Sequence, residues 1–446
     1  MKAVILAAGS GKRVFPLAVN KPKPMFKLLG RPLMEYVIME LAAAEVMEAV
    51  CVVAPGQDAE QIQSYFGVEN HGVAMSYVTQ TEAKGMADAL LSTESVVNGG
   101  KFLVVNGDDV FDPGLVKKML PVAVNSEIVF ACQPVEETWK FGILSLEGDR
   151  VTGIVEKPDK GCEPSNNAVI GVYMLSPDVF DYIRRQPPGD SQYEQAVHAM
   201  IQDDKDVRAV TYEGFFGSYK LPWDLLKLNE HFLANQESYI APSAQVSEHS
   251  VIKGDHVYIG PNVRVFEHSV VQGPCYIGEG AVIGNNTLIR NCTSIGAGSV
   301  IGYGTEVKNC VIGDNCWTHS AYVGDSVIGD NCSLGAGTVT ANLRFDERNI
   351  KVEVLGKGRM DSGTNKLGVI MADNCRTGSN ATLSPGVKLG PHSFVGPGVL
   401  LAKDLAPNKI ALQGRQMVEV RDNPVSLSPE TSARLKERLL KYAEPE

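Results

Sequence analysis

From the middle of this chain onward, aliphatic residues recur every six positions: Ile259, Val265, Val271, Ile277, Ile283, Ile289, Ile295, Ile301 and Val307. The spacing resumes at Leu383, Leu389, Val395 and Leu401. A small residue often follows, as in Ile277-Gly278, Ile283-Gly284 and Ile295-Gly296. A period of six fits neither a helix nor a hairpin. It fits a β-helix whose coils each hold three short strands, every strand turning one aliphatic residue inward. A β-sandwich does not hold one period this long. Stacked coils need covered ends, and the tail Pro429–Lys441 reads as a short helix able to supply one. The repeat is interrupted over Thr340–Lys366, and loops projecting from a rigid scaffold often carry function.

The first half has a different rhythm. Short apolar strands are expected at Ala3–Leu6, Val50–Val53, Met75–Val78, Phe102–Val105 and Ile128–Ala131. Helices are expected near Leu33–Ala44, Ala59–Phe66 and Met86–Val96. Alternation at this spacing predicts an α/β domain with a largely parallel sheet, whose ligand sites lie at the carboxyl ends of the strands. Two domains follow, 1–230 and 231–446, within a chain of 446 residues.

The net charge of −11 argues against bulk nucleic-acid binding. No apolar run reaches the ~18 residues of a membrane span. The amino-terminal strand is itself core-forming, unlike a removable signal. The 9 cysteines form no C-x-x-C pair and fit reduced thiols in a cytoplasmic protein. The 8 histidines show no metal-type grouping with cysteine.

The strand Val4–Leu6 runs into Ala7-Ala8-Gly9-Ser10-Gly11-Lys12-Arg13. Glycines let backbone N–H groups approach an anion, and Arg13, Lys21 and Lys23 add cations, so this bend reads as a triphosphate site. It is not a Walker loop, because Leu6 stands at the first glycine position and Arg13 follows Gly11-Lys12. It is not a dinucleotide fingerprint, because Val14 stands where a third small residue belongs. With Phe15-Pro16-Leu17 and Lys21-Pro22-Lys23-Pro24-Met25 behind it, the segment resembles the sugar-1-phosphate nucleotidyltransferases, a Rossmann-like fold. The resemblance implies that Leu6, Ala8, Gly9, Gly11, Gln80 and Gly85 hold the nucleotide. It implies catalytic roles for Arg13 and Lys23 at the phosphates, and Asp108 as the Mg²⁺ ligand. Gly142, Glu156, Lys157 and Asn167 match its sugar-binding positions. One departure is visible: Ser218 stands where a second metal-binding Asp belongs, which leaves Asp109 or Asp224 to compensate, or the metal weakly held.

The second half resembles the acetyltransferase half of the bifunctional enzymes that make UDP-N-acetylglucosamine, the archaeal ones especially, and hence a left-handed parallel β-helix of hexapeptide repeats. The match rests on Thr318-His319-Ser320-Ala321-Tyr322-Val323-Gly324-Asp325, on Gly335-Ala336-Gly337-Thr338 and on Asn342. A sugar ammonium must lose a proton before it attacks the thioester of acetyl-CoA, and a histidine can take that proton. His319 is the candidate base, placed where the repeat shortens between Val307 and Ile312. The resemblance implies that Arg290, Lys308 and Lys366 bind the sugar phosphate, Tyr322 and Asn342 the amino sugar, and Ala336 and Ser379 the acetyl-CoA arm. Ser333 replaces an expected Asn beside that site. A homotrimer is implied, as are UTP or dTTP, a sugar-1-phosphate and acetyl-CoA as substrates. Two other readings remain: a single-function nucleotidyltransferase with a structural β-helix, and a regulatory subunit.

Overall fold

The computed structural model describes residues 1–414 apart from positions 83, 98, 113 and 190. Its first half is built on a 10-stranded sheet. The central strands Lys2–Leu6, Glu48–Val53, Val73–Thr79 and Phe102–Asn106 are parallel, as the βα alternation predicts. The rest of the sheet is mixed. Gly142–Glu147 and Arg150–Glu156 are joined by a turn too short for a crossover, so they pair antiparallel. Asn167–Leu175 also runs antiparallel, between Ile128–Pro134 and Phe102–Asn106. The helix expected over Met86–Val96 is broken into Met86–Leu91 and Glu94–Val97. At the break the Ser92 and Thr93 hydroxyls donate to the carbonyls of Ala89 and Leu90, at 2.6 and 2.7 Å, drawing the chain out of the helical ladder.

The second half forms three parallel sheets of 8, 9 and 8 strands, and up to the insert the strands of each recur at every third position along the chain. This is the three-sided parallel coil the period predicts. Ile259, Ile277, Ile295, Ile312 and Ile328 stack in one sheet and Val271, Ile289, Val307 and Val323 in another, all buried in one core. Where the period fails, interior threonines appear. Thr318 and Thr377 keep their hydroxyls bonded to Thr305 and Thr338, at 3.2 and 2.8 Å, so the buried oxygens are satisfied.

The interruption Thr340–Lys366 does not simply project. Leu343 and Phe345 are exposed, but the segment then forms a hairpin of Lys351–Val354 and Gly358–Asp361. Ile350, Val352 and Val354 are buried in a cluster with Val14, Leu17 and Phe26 from the amino-terminal bend and Val311, Val327 and Ile370 from the coils. Apolar alternation on one face of the hairpin demands such cover. Met1–Leu412 accordingly form one compact unit. Residue 230 lies inside the helix Asp224–Asn235, whose Asn229 donates to the Cys292 carbonyl of the coils at 2.8 Å. The helix expected at Pro429–Lys441 lies outside the described residues.

Candidate active sites

At the carboxyl end of Lys2–Leu6 the bend opens a cavity of about 570 Å³. Gly11 has φ +62°, and a Cβ there would meet Ala18 Cβ at 2.6 Å. Gly9 faces open space, so a side chain there would occupy the room left for a ligand. Leu6, Ala8, Gly9, Gly11, Arg13 and Lys23 line this cavity, together with Gln80, Gly85 and Asp108 from later elements. Val14 borders the same cavity from within the apolar cluster in which it is fully buried. Gln80 is fixed by donating to Asp88 Oδ2 at 2.8 Å and to the Gly85 carbonyl at 3.2 Å. The Lys23 ammonium pairs with Asp108 and lies 5.5 Å from the centre of the Tyr219 ring.

Lys21 departs from the sequence expectation. It turns away from this cavity and pairs with Asp330 and Asp373 of the coils. The reason is burial: its side chain is 16% exposed, and two carboxylates are there to receive it.

Ser218 pairs with Asp109 across two short antiparallel strands. Asp109 is buried and accepts from Asn106 Nδ2 at 2.7 Å. Burial and the neighbouring Asp108 charge push its carboxyl up to about 6, against the opposing pull of Ser218 and Asn106. Gly171 makes room for this group, since a Cβ there would fall on Asp109 Oδ2 and 2.6 Å from Asn106 Nδ2. Asp224 accepts the N–H groups of Lys220 and Leu221 at 2.9 and 2.6 Å, folding back onto the turn that precedes its own helix. Its Oδ2 is therefore committed locally. Among the described residues no three His, Cys, Asp or Glu side chains gather as a metal site.

Gly142 and Glu156 are cross-strand partners, and a Cβ at Gly142 would meet Glu156 Oε2 at 2.8 Å. Lys157, at φ +47°, pairs with Glu156. Asn167 opens the next strand and its N–H donates to Ser165 Oγ at 2.9 Å. These residues sit apart from the lining of the glycine-bend cavity; Glu156 lines a separate cavity of about 290 Å³ with Glu194 and His198.

In the coils, Arg290 and Lys308 are stacked in register, with Gly324 next. Each cation has a carboxylate. Arg290 donates through Nε and Nη2 to Glu306 Oε1, at 3.0 and 2.6 Å, and Lys308 lies 3.2 Å from Asp325 Oδ2. Asp325 is buried; it also accepts from Asn309 at 2.8 Å and from Asn342. Asn342 donates to the Tyr322 hydroxyl at 3.2 Å. Burial raises that phenol above its ordinary value. His319 lies on the adjoining edge, its Nδ1 3.4 Å from where a Gly302 Cβ would be. The register Thr318, Leu334, Thr377 puts Ala336 and Ser379 on the same edge in successive coils. Among the described residues the His319 side chain makes no hydrogen bond or ion pair. Lys366 is exposed, bridged through its backbone to Leu343. Glu306 and Asp325 were not singled out from the sequence, though a signal exists: each follows its cation by 16 or 17 residues, about one coil.

Residues 2–224 match the nucleotidyl transferase family and residues 271–358 the GMPPB C-terminal domain family. The chain is 32% identical over 422 residues to the bifunctional protein GlmU of Methanocaldococcus jannaschii, covering 94% of this chain and 99% of that protein.

It belongs to the GlmU family.

A bifunctional sugar-1-phosphate nucleotidylyltransferase/acetyltransferase of Sulfurisphaera tokodaii is a further relative, 33% identical over 410 residues, 91% of this chain and 98% of that one. Among solved structures, a UDP-glucose pyrophosphorylase from Acinetobacter baumannii is similar at 24% identity and TM-score 0.46, covering 52% of this chain and 92% of that one. Likeness to GlmU proteins thus runs through the α/β half and the coils alike.

Proposed function

We propose that this GlmU-family chain runs two reactions. One moves acetyl from acetyl-CoA to glucosamine-1-phosphate or galactosamine-1-phosphate. The other moves uridylyl or thymidylyl from UTP or dTTP to a sugar-1-phosphate, releasing pyrophosphate. The observation that carries this reading is that likeness to GlmU proteins covers 94% of the chain, both halves included.

In the first half, backbone N–H groups at Gly9–Gly11 and the Arg13 guanidinium hold the β- and γ-phosphates. Lys23 balances charge at the α-phosphate, and Gln80 and Gly85 contact the base. Gly142, Glu156, Lys157 and Asn167 take the sugar. Mg²⁺ suits this cavity: it binds through one or two carboxylates plus substrate phosphates, and Asp108 offers the carboxylate. When bound, the ion neutralises charge developing on the phosphoryl oxygens.

In the second half, His319 takes the proton from the sugar ammonium, and Tyr322 and Asn342 orient the amine. Arg290 keeps three of its five N–H donors beyond the two given to Glu306. With Lys308 and Lys366 these hold the sugar phosphate, while Ala336 and Ser379 receive the acetyl-CoA arm. The coil is left-handed and the chains assemble as a cytoplasmic homotrimer, neighbours completing each other's acetyl sites. That arrangement gives a physical reason for a base that has no partner among the described residues of its own chain.

The test is a pair of assays on two variants. His319→Ala is expected to lose acetyl transfer by about 10²-fold or more while keeping pyrophosphate release. Lys23→Met is expected to lose pyrophosphate release by about 10²-fold while keeping acetyl transfer. A wild-type chain that acetylates neither amino sugar would leave a single-function nucleotidyltransferase with a structural β-helix.

A further inference from the structure

The coils present a column of aspartates to the glycine bend. Asp314, Asp330 and Asp373 occupy matching corners of three successive coils. Each uses Oδ1 to accept the backbone N–H of the coil below: Asp314 from Ala297 at 2.9 Å, Asp330 from Asp314 at 2.8 Å and Asp373 from Asp330 at 2.7 Å. Each turns Oδ2 toward a lysine of the first half. Lys27 meets Asp314 at 2.7 Å, and Lys21 meets Asp330 at 2.5 Å and Asp373 at 3.4 Å. The aspartates are thus held by backbone before any lysine arrives.

We propose that Lys21 is a positioning residue for nucleotidyl transfer: clamped between Asp330 and Asp373, it fixes the segment bearing Lys23 against the coils, so carboxylates in one half set phosphate-site geometry in the other. The proposal rests on the nucleotidyltransferase reading of the glycine-bend cavity. Lys21 stands two residues before Lys23, and Pro22 and Pro24 flank Lys23 with fixed φ, so little slack separates the anchor from the ammonium facing Asp108. The Phe26 ring, 5.4 Å from the Lys21 ammonium, closes the pocket from the other side. Burial lowers the affinity of Lys21 for its proton, and the two carboxylates overcome this and hold it charged. A buried ion pair of this kind adds little net stability over an apolar contact, whereas it does specify a register, which is what a phosphate site needs.

The experiment uses the full-length chain as Lys21→Met, Lys21→Arg, the Asp330→Asn/Asp373→Asn pair, and Lys21→Met combined with that pair. Amide hydrogen exchange over residues 11–26 is read first. Pyrophosphate release with UTP and N-acetylglucosamine-1-phosphate is read next, and acetyl transfer to glucosamine-1-phosphate last. Lys21→Met and the Asn pair are each expected to speed exchange over 11–26 several-fold and to raise KM for UTP by about tenfold or more, with kcat and acetyl transfer little altered. The combined variant is expected to be no worse than either alone, and Lys21→Arg to keep most of the wild-type behaviour. Wild-type exchange over 11–26 in Lys21→Met, or strictly additive effects in the combined variant, would overturn the proposal. If the wild-type chain releases no pyrophosphate, the nucleotidyltransferase reading fails, and the exchange measurement alone still decides whether the anchor exists.

Discussion

Asp109 shows how a single side chain can be decided by its surroundings. It sits beside Asp108 in the sequence, yet one carboxylate faces the cavity and the other is buried under Gly171 with Asn106 and Ser218. Its pKa, pushed up to about 6, lies above the unfolded value of about 3.9. The folded chain therefore holds this proton more tightly. The stability it contributes is complete below the unfolded pKa and is lost as pH rises through about 6. Urea denaturation between pH 4 and pH 7 is expected to show Asp109→Asn gaining on the wild type over that window; a parallel pH dependence for the two would contradict the assignment. Gly171→Ala is expected to cost about 1–3 kcal/mol by overpacking against Asp109 and Asn106, seen as a lower thermal midpoint, because Asp109 is buried and the new methyl breaks its hydrogen bond with Asn106.

At the scale of elements, the inserted hairpin is the informative case. The insert's charged, irregular sequence reads as a projecting loop, and Phe345, which precedes the hairpin strands, does project. Ile350 and Val352 do not: each is 1% exposed and packs against Gly386, where a Cβ would meet Ile350 Cγ2 at 2.7 Å and Val352 Cγ2 at 3.1 Å. Truncation of Ile350 to Ala is expected to cost about 2–4 kcal/mol in chemical denaturation, the scale of a buried aliphatic side chain rather than of a loop residue. A cost under about 0.5 kcal/mol, typical of surface sites, would show that the hairpin does not carry this packing in solution. The repeat itself was legible residue by residue, because the inward position of each strand is aliphatic in most coils. The insert was not, because three apolar residues spread over five positions give too short a pattern to separate a covered strand from a free one.

Across the whole molecule, the two halves share an apolar cluster and a set of ion pairs, so they are not independent bodies joined by a linker. Scanning calorimetry of the full chain is expected to give one cooperative transition, or two that shift together in Leu17→Ala, whose side chain lies in the shared cluster. Two well-separated transitions with only the first moved by Leu17→Ala would show that the cluster does not couple the halves. The candidate sites follow the same division. Glycine spacing and clustered cations marked the glycine-bend cavity because backbone approach and charge are local properties. The carboxylates that answer Lys21, Arg290 and Lys308 were harder to read, since they lie a coil or a half-chain away from their cations.

The sequence alone determined the period, and with it a coil of three strands per turn, the α/β alternation before it, and the residue types gathered at the glycine bend. These depend on spacing along the chain, which folding does not alter. Only the tertiary structure decided that Lys21 leaves the glycine-bend cavity for Asp330 and Asp373, that Arg290 and Lys308 are matched by Glu306 and Asp325, and that the insert folds down onto the bend. The physical reason is that a charge or an apolar face is satisfied by whatever the fold brings within a few ångströms, and that neighbour is set by the packing of distant segments.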